Sequence, residues 1–400
     1  MDKHSSQLLI KNAEIYLENE VLTNGFLLVH EEKIIEIGKM EDLKNCIFNN
    51  IDTINLKDGE KVIPGFVDVH IHGAGGADTM DGTTKALHTM AVHLPREGTT
   101  SFLATTITQS EEKILNALQN AAAYQKNNNK IGKAEVIGIH LEGPFINPEK
   151  KGAQPEEFII EPNIEVFQEW QKVANGTIKI VTVAPEMPNG LAFIKYLADQ
   201  GITASIGHSN STYALVKEAA AAGATQVTHL FNGMRGLHHR EPGTAGAALL
   251  IDELKVELIA DGIHICPEML QFILKTKGSH GALLITDAMR AKCLKSGHYE
   301  LGGQPVIVAD GKVTLEDGTL AGSILKMIDS VKNIKTFTNL TLHEIVKMAS
   351  STPAKQIHIF NRKGSIAVGK DADLIILNKD IEIEKTFCRG KLAYSKTEAR

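Results

Sequence analysis

Between residues 7 and 62, charged and apolar residues trade places every one or two positions, in LLIKNAEIYL, GFLLVHEEKIIEIG and DTINLKDGEKVI. Gly or Asn separates the segments, and this period-two alternation predicts short antiparallel strands. The segment GSIAVGKDADLIILNKDIEIEKTFCRGKLAY near the other end has the same texture. Two β-rich ends around a different middle predict one small β-sandwich domain built from both termini, residues 1–62 and 358–400. The middle, 63–357, carries apolar strand-like runs at Val62–His72, Thr99–Thr105, Glu135–Glu142, Ile178–Ala184, Ile202–His208, Thr225–Leu230, Val256–Asp261 and Ala282–Asp287. Helical stretches such as SEEKILNALQNAAAYQ, IEVFQEWQKVA and STYALVKEAAAAG lie between them, commonly with Ser or Pro ahead and Gly behind. Strands alternating with helices in this way predict a (β/α)8 TIM-like barrel. A doubly wound sheet shares the pattern, and the polar residues decide between them.

The first run ends Asp68-Val69-His70-Ile71-His72. Side chains alternate along a strand, so Asp68, His70 and His72 share one face, and two imidazoles there can reach one metal ion. Alone, an HxH pair reads as two ordinary strand histidines. Three further runs end on a ligand-type residue: VIGIHLE at Glu142, ASIGH at His208 and QVTH at His229. A fourth, LLITD, ends at Asp287. In a parallel barrel these ends meet in one ring at the C-terminal face, where barrel active sites lie. Packing does not explain the coincidence.

Imidazoles with a carboxylate suit Zn²⁺ or Fe²⁺. A metal with an open position brings bound water toward a pKa of about 7. A nearby Asp287 can then take the water's proton and pass it to a leaving group. That is metal-assisted hydrolysis of a carbonyl or phosphoryl compound. No GxSxG and no Walker-type phosphate loop competes with it.

Composition narrows the field. The formal charge is −6, with no long basic run, which argues against nucleic acid and anionic membrane surfaces as partners. No run approaches the roughly 18 apolar residues of a membrane span, and the first residues meet charge too soon for a signal peptide. Cys46, Cys266, Cys293 and Cys388 make no CxxC pair. These features predict a soluble, reduced, cytoplasmic protein.

The motifs PGFVDVHIHG, GIHLEGPFINPEKKGAQP, VTVAPE, GHSNST, THLFNGM, REPGTAGA, ADGIH, LITDAM and DGTLAGS span nearly the whole chain. Taken together they resemble the amidohydrolase superfamily, and within it the N-acetylglucosamine-6-phosphate deacetylase family. The resemblance implies hydrolysis of the N-acetyl group of N-acetyl-D-glucosamine 6-phosphate to D-glucosamine 6-phosphate and acetate. It implies Glu142, His208 and His229 as metal ligands, with His70 and His72 as a further pair that only some members retain. One or two divalent metals, Zn²⁺ or Fe²⁺, are therefore expected per chain, with Asp287 as catalytic base and acid. Asn232, Gly233, Arg240, Asp261, His264, Leu320, Ala321 and Gly322 match substrate contacts, and a homodimer is implied. Some members carry a carbonyl-polarising histidine twelve positions after the metal-binding glutamate. Gln154 stands there in this chain and is placed with the substrate contacts.

Two other readings compete. A different amidohydrolase acting on a cyclic amide or other N-acyl compound often carries a modified lysine on the fourth strand. The lysine in IKIVTVAPE, Lys179, stands at the wrong end for that. A non-catalytic scaffold with this fold would have lost some of the ligand set, which is complete here.

Overall fold

The computed structural model describes residues 7–45 and 51–397. Cys46 lies outside them; Cys266, Cys293 and Cys388 are free thiols. Eight parallel strands form the central sheet: β1 (Phe66–Ile71), β2 (Thr99–Thr105), β3 (Glu135–Glu142), β4 (Ile178–Val183), β5 (Thr203–Ile206), β6 (Gln226–Val227), β7 (Lys255–Ile259) and β8 (Ala282–Ile285). Their spatial order follows the chain from β1 to β8. The barrel is drawn shut at one end, where Ile71 and Ala288 form a parallel bridge. There Asp287 N–H donates to His70 O at 2.8 Å, and His72 N–H donates to Ala288 O at 2.9 Å.

Helices cover the strands because their apolar residues recur at helical spacing. In Glu111–Asn127 the buried positions are Ile114, Ala117, Leu118, Ala121, Ala122 and Tyr124, one stripe turned to the sheet. Ser110 precedes this helix and Glu111 and Glu112 fill its first turn, where negative charge complements the helix dipole. Among the described residues no helix is long and apolar enough to cross a membrane.

Several expected strands end early. β5, β6 and β8 stop two residues before His208, His229 and Asp287. Those three residues adopt left-handed backbone, with φ of 46°, 29° and 48°, which breaks the strand ladder. The long first run also divides. Lys61–Pro64 pairs with Leu374–Leu377 on one side and with Gln7–Tyr16 on the other, and only after Gly65 does β1 enter the barrel. A Cβ at Gly65 would overlap the Thr100 side chain, so the crossing requires glycine.

The terminal strands form one continuous, mostly antiparallel sheet of eight, in which strands from both ends of the chain lie side by side. A three-stranded sheet, Gly297–Leu301, Gln304–Ala309 and Lys312–Thr314, is inserted after β8. Its signals are the glycine turns: Gly302 and Gly303 have φ of 58° and 81°, and Asp310 and Gly311 have 49° and 77°. Positive φ at both central residues is what a type I′ hairpin needs.

The terminal sheet is fastened to the barrel by charge as well as by a shared apolar core. Lys363, 1% exposed, contacts Asp373 at 2.5 Å, Glu135 at 2.8 Å and Asp371 at 3.0 Å. Arg362 pairs with Glu135 and Asp371. Burial alone would raise the Glu135 carboxyl, but Lys363 and Arg362 outweigh it and hold it below its ordinary value. Lys363→Met leaves these carboxylates buried without their central cation. It should cost about 3–5 kcal/mol, read as a lower urea midpoint in equilibrium unfolding. The Glu135 contribution is present above its unfolded pKa, about 4.3, and is lost as pH falls through the depressed folded value. Acid should therefore erode wild-type stability more than that of the variant.

Candidate metal centre and active site

Glu142 is the last residue of β3 and is 2% exposed. Its Oε1 lies 3.1 Å from His208 Nε2, 3.0 Å from His229 Nε2 and 3.6 Å from His70 Nε2; Oε2 lies 3.3 Å from His72 Nε2. Asp287 Oδ1 lies 3.2 Å from His72 Nε2 and 3.4 Å from His70 Nε2. Three groups have metal-ligand spacing: Glu142, His208 and His229; His70, His72 and Asp287; and His70, His140 and Glu257. In the third, both ring nitrogens of His140 are already bonded, to Val69 O and Thr182 Oγ1, so the first two are the candidates for an ion.

The hydrogen bonds fix which imidazole nitrogen is bare. His208 Nδ1 donates to Lys150 O at 2.8 Å, and His229 Nδ1 donates to Asn232 O at 3.1 Å. A carbonyl oxygen can only accept, so in the neutral ring Nδ1 carries the hydrogen and Nε2 presents a lone pair. The two Nε2 atoms face each other at 3.1 Å, with a carboxylate oxygen against both. Lone pairs this close repel unless positive charge lies among them. His70 Nε2 is buried without a hydrogen-bond partner, and its Nδ1 is bonded to Glu257. A divalent cation fits this donor set.

Charge balance points the same way. Burial opposes a charged His70, yet Asp287, Glu142 and Glu257 outweigh it and raise its pKa well above the ordinary value. His72 is pushed up to about 10 against burial, by Asp287 and Glu142. Burial would raise both carboxyls, but His70 and its neighbours hold Glu142 well below the ordinary range and Asp287 at about 2. The cluster calls for positive charge at its centre, as protons or as metal.

Beside the cluster is a cavity of about 220 Å³. His72, Glu142, Gln154, His208, His229, Asn232, Gly233, His264, Asp287, Leu320 and Gly322 line it. Asp261 lies behind His264, accepting from its Nδ1 at 2.7 Å and from its main-chain N–H at 2.8 Å. Ala321 is buried, with its N–H on Val313 O. Arg240 is exposed, stands outside the cavity lining and bonds His239 Nε2 at 2.7 Å. Gln154 donates through Nε2 to Glu142 Oε2 at 2.9 Å and accepts at Oε1 from Thr108 N–H at 2.7 Å. Both ends of that amide are therefore engaged, and it braces the glutamate.

Three buried supports go unmarked in the sequence reading. Glu257 holds His70; a lone carboxylate inside the apolar strand KVELI was the signal. Gln226 Nε2 donates to Glu257 Oε1 at 2.6 Å. Thr286 donates its hydroxyl to Asp68 Oδ2 at 2.6 Å, which ties β1 to the residue before Asp287. His140 belongs to the barrel interior. Its Nδ1 donates to Val69 O at 3.1 Å and its Nε2 accepts from Thr182 Oγ1 at 2.8 Å. Burial, reinforced by His70, keeps it neutral. Lys179, the second residue of β4, stands at the opposite end of the strand from the cluster.

Residues 61–393 match the model of the amidohydrolase family. An N-acetylglucosamine-6-phosphate deacetylase of Bacillus subtilis strain 168 is 46% identical over 400 residues, which is 99% of each chain. An N-acetylgalactosamine-6-phosphate deacetylase of Escherichia coli O157:H7 is 36% identical, over 85% of this chain and 90% of its own. The crystal structure of N-acetylglucosamine-6-phosphate deacetylase from Pasteurella multocida superposes with a TM-score of 0.90 at 32% identity. That match covers 98% of this chain and all of the other. The chain belongs to the amidohydrolase family and, within it, to the N-acetylglucosamine-6-phosphate deacetylases.

Proposed function

We propose that the protein removes the N-acetyl group of N-acetyl-D-glucosamine 6-phosphate, releasing D-glucosamine 6-phosphate and acetate in cytoplasmic amino-sugar catabolism. The observation that carries this reading is the set of bare Nε2 lone pairs around Glu142, with Asp287 at its edge and a polar cavity beside it. Glu142, His208 and His229 would hold one divalent metal, Zn²⁺ or Fe²⁺. His70 and His72, with Asp287 beside them, would hold a second. When bound, such an ion acidifies water and polarises an amide carbonyl.

The chain's own groups supply the rest. Asp287 is a carboxylate at neutral pH because His70 and His72 outweigh its burial. It can accept a proton from an attacking water. It then returns that proton to the sugar nitrogen, because an amine anion is too basic to leave unprotonated. Gln154 keeps Glu142 from rotating. Asn232, Gly233, His264, Leu320 and Gly322 line the space for the sugar, and Asp261 sets the His264 ring. Arg240 does not line the cavity of its own chain. Its proposed phosphate contact therefore belongs to the proposed homodimer, where the exposed loop bearing Leu237 and Arg240 would meet a second copy.

The reaction itself is tested by acetate release from the phosphorylated sugar, compared with free N-acetylglucosamine, using metal-supplemented protein. Removing one ligand from so small a set should unseat the ion, so His208→Ala and His229→Ala should each lose bound metal and activity together. Elemental analysis with turnover checks this, and full metal with normal turnover would remove both residues from the site. Asp287→Asn keeps the shape but loses the proton carrier. It should retain metal in the Glu142 group while kcat falls about 10²–10⁴-fold; normal kcat would exclude the role. Arg240→Ala should raise KM for the phosphorylated sugar about ten- to hundredfold, the worth of a charge-assisted contact. Sedimentation of a fully active monomer would count against the homodimer.

A further inference from the structure

Glu257 lies on β7, 0% exposed, outside the cavity lining. One of its oxygens, Oε2, accepts from two donors: His70 Nδ1 at 2.9 Å and the main-chain N–H of His229 at 3.1 Å. The other, Oε1, accepts from Gln226 Nε2 at 2.6 Å. Gln226 Oε1 accepts in turn from Gln356 Nε2 at 3.2 Å, on the helix Ser351–Gln356. A buried carboxylate is costly unless such donors satisfy it, and apolar residues flank it on the strand. Nothing in the proposed proton path uses it.

Its position joins the two metal groups. His70 belongs to one and His229 to the other, and the same oxygen holds both. At His70 the contact keeps the hydrogen on Nδ1 and aims Nε2 at the cluster. At His229 it pins a main chain with φ of 29°, a conformation that bulky residues avoid. The remaining imidazoles lack such a contact. His208 Nδ1 bonds a neutral carbonyl, and His72 Nδ1 is buried without a partner.

We propose that Glu257 is a positioning residue for both metal groups, setting the His70 ring and the His229 backbone through one carboxylate oxygen. The proposal rests on the reading of His70 and His229 as ligands. A carboxylate behind an imidazole fixes its tautomer and raises its basicity, and loss of such a partner typically weakens metal binding about ten- to hundredfold.

The test is zinc titration of metal-free protein against a chromophoric chelator, for wild type and Glu257→Gln, with a thermal melt of each metal-free protein. Glu257→Gln can keep a hydrogen bond while losing the charge. The expected result is two zinc equivalents in wild type, both weaker in the variant, the His70 group by about ten- to hundredfold and the other by less. Unchanged affinities overturn the proposal, even if the metal-free melting point drops, because that outcome describes a merely structural residue. Wild-type protein that binds no zinc fails the ligand reading itself, and the proposal with it. If Glu257→Gln does not fold, zinc-loaded wild type with ¹⁵N-labelled histidine gives a second readout. Two imidazole N–H groups bond carboxylates, those of His70 and His264. Only His70 is fully buried, away from the cavity, and its proton, assigned by its absence in His70→Ala, should lie downfield and exchange most slowly. Ring protons with no such outlier overturn the proposal.

Discussion

Bringing three bare imidazole nitrogens, those of His70, His208 and His229, to two buried carboxylates is electrostatically possible only if positive charge comes with them. Glu142 faces His70, His72, His208 and His229, and Asp287 faces two of these again. Much of the barrel mouth serves to keep that arrangement from relaxing. Main-chain carbonyls of Lys150 and Asn232 hold two of the rings from behind, and the Gln154 amide, locked by Thr108, holds the glutamate. Remove the rear partners and each ring could turn its N–H inward, donate to the carboxylate and quench the site. The orientation of the His70, His208 and His229 rings therefore depends on hydrogen bonds at their far side as much as on the carboxylates they face.

The same constraint accounts for the left-handed backbone at His208, His229 and Asp287. Each follows a strand by two residues, where the chain must turn out of the ladder while its side chain stays over the barrel axis. Residues in this region carry conformational strain that surrounding contacts must offset. At Asp287 those contacts are its N–H to His70 O, one of the bonds that shut the barrel, and Ser323 N–H to its own carbonyl.

What could be read from the sequence were features with a period or an end. The alternation of the terminal strands, the helical stripes and the polar residue closing each apolar run all leave local marks. Glu142, His208, His229, His70, His72 and Asp287 come together in one cluster because parallel strands deliver their ends to one face. Glu257, Gln226 and the Asp68–Thr286 pair were not legible as a set, because their partners lie far along the chain and no local pattern records the meeting. Arg240 shows the opposite limit: an arginine in a glycine-rich loop is visible in sequence, but its distance from the cavity is not. The hairpins after β8 went unread in the sequence, although their turns, at Gly302–Gly303 and Asp310–Gly311, join short alternating strands.

Lys61–Pro64 has one sheet neighbour from the start of the chain and another, Leu374–Leu377, that follows the entire barrel. During synthesis the first neighbour is present at once and the second emerges near the end. For most of that interval the strand presents an open edge, with unpaired main-chain groups beside apolar side chains. Such edges recruit strands from other molecules. The barrel's first strand is the direct continuation of that edge past Gly65, so premature pairing there would also misplace the HxH segment. The longer the chain takes to complete, the longer that edge stays open.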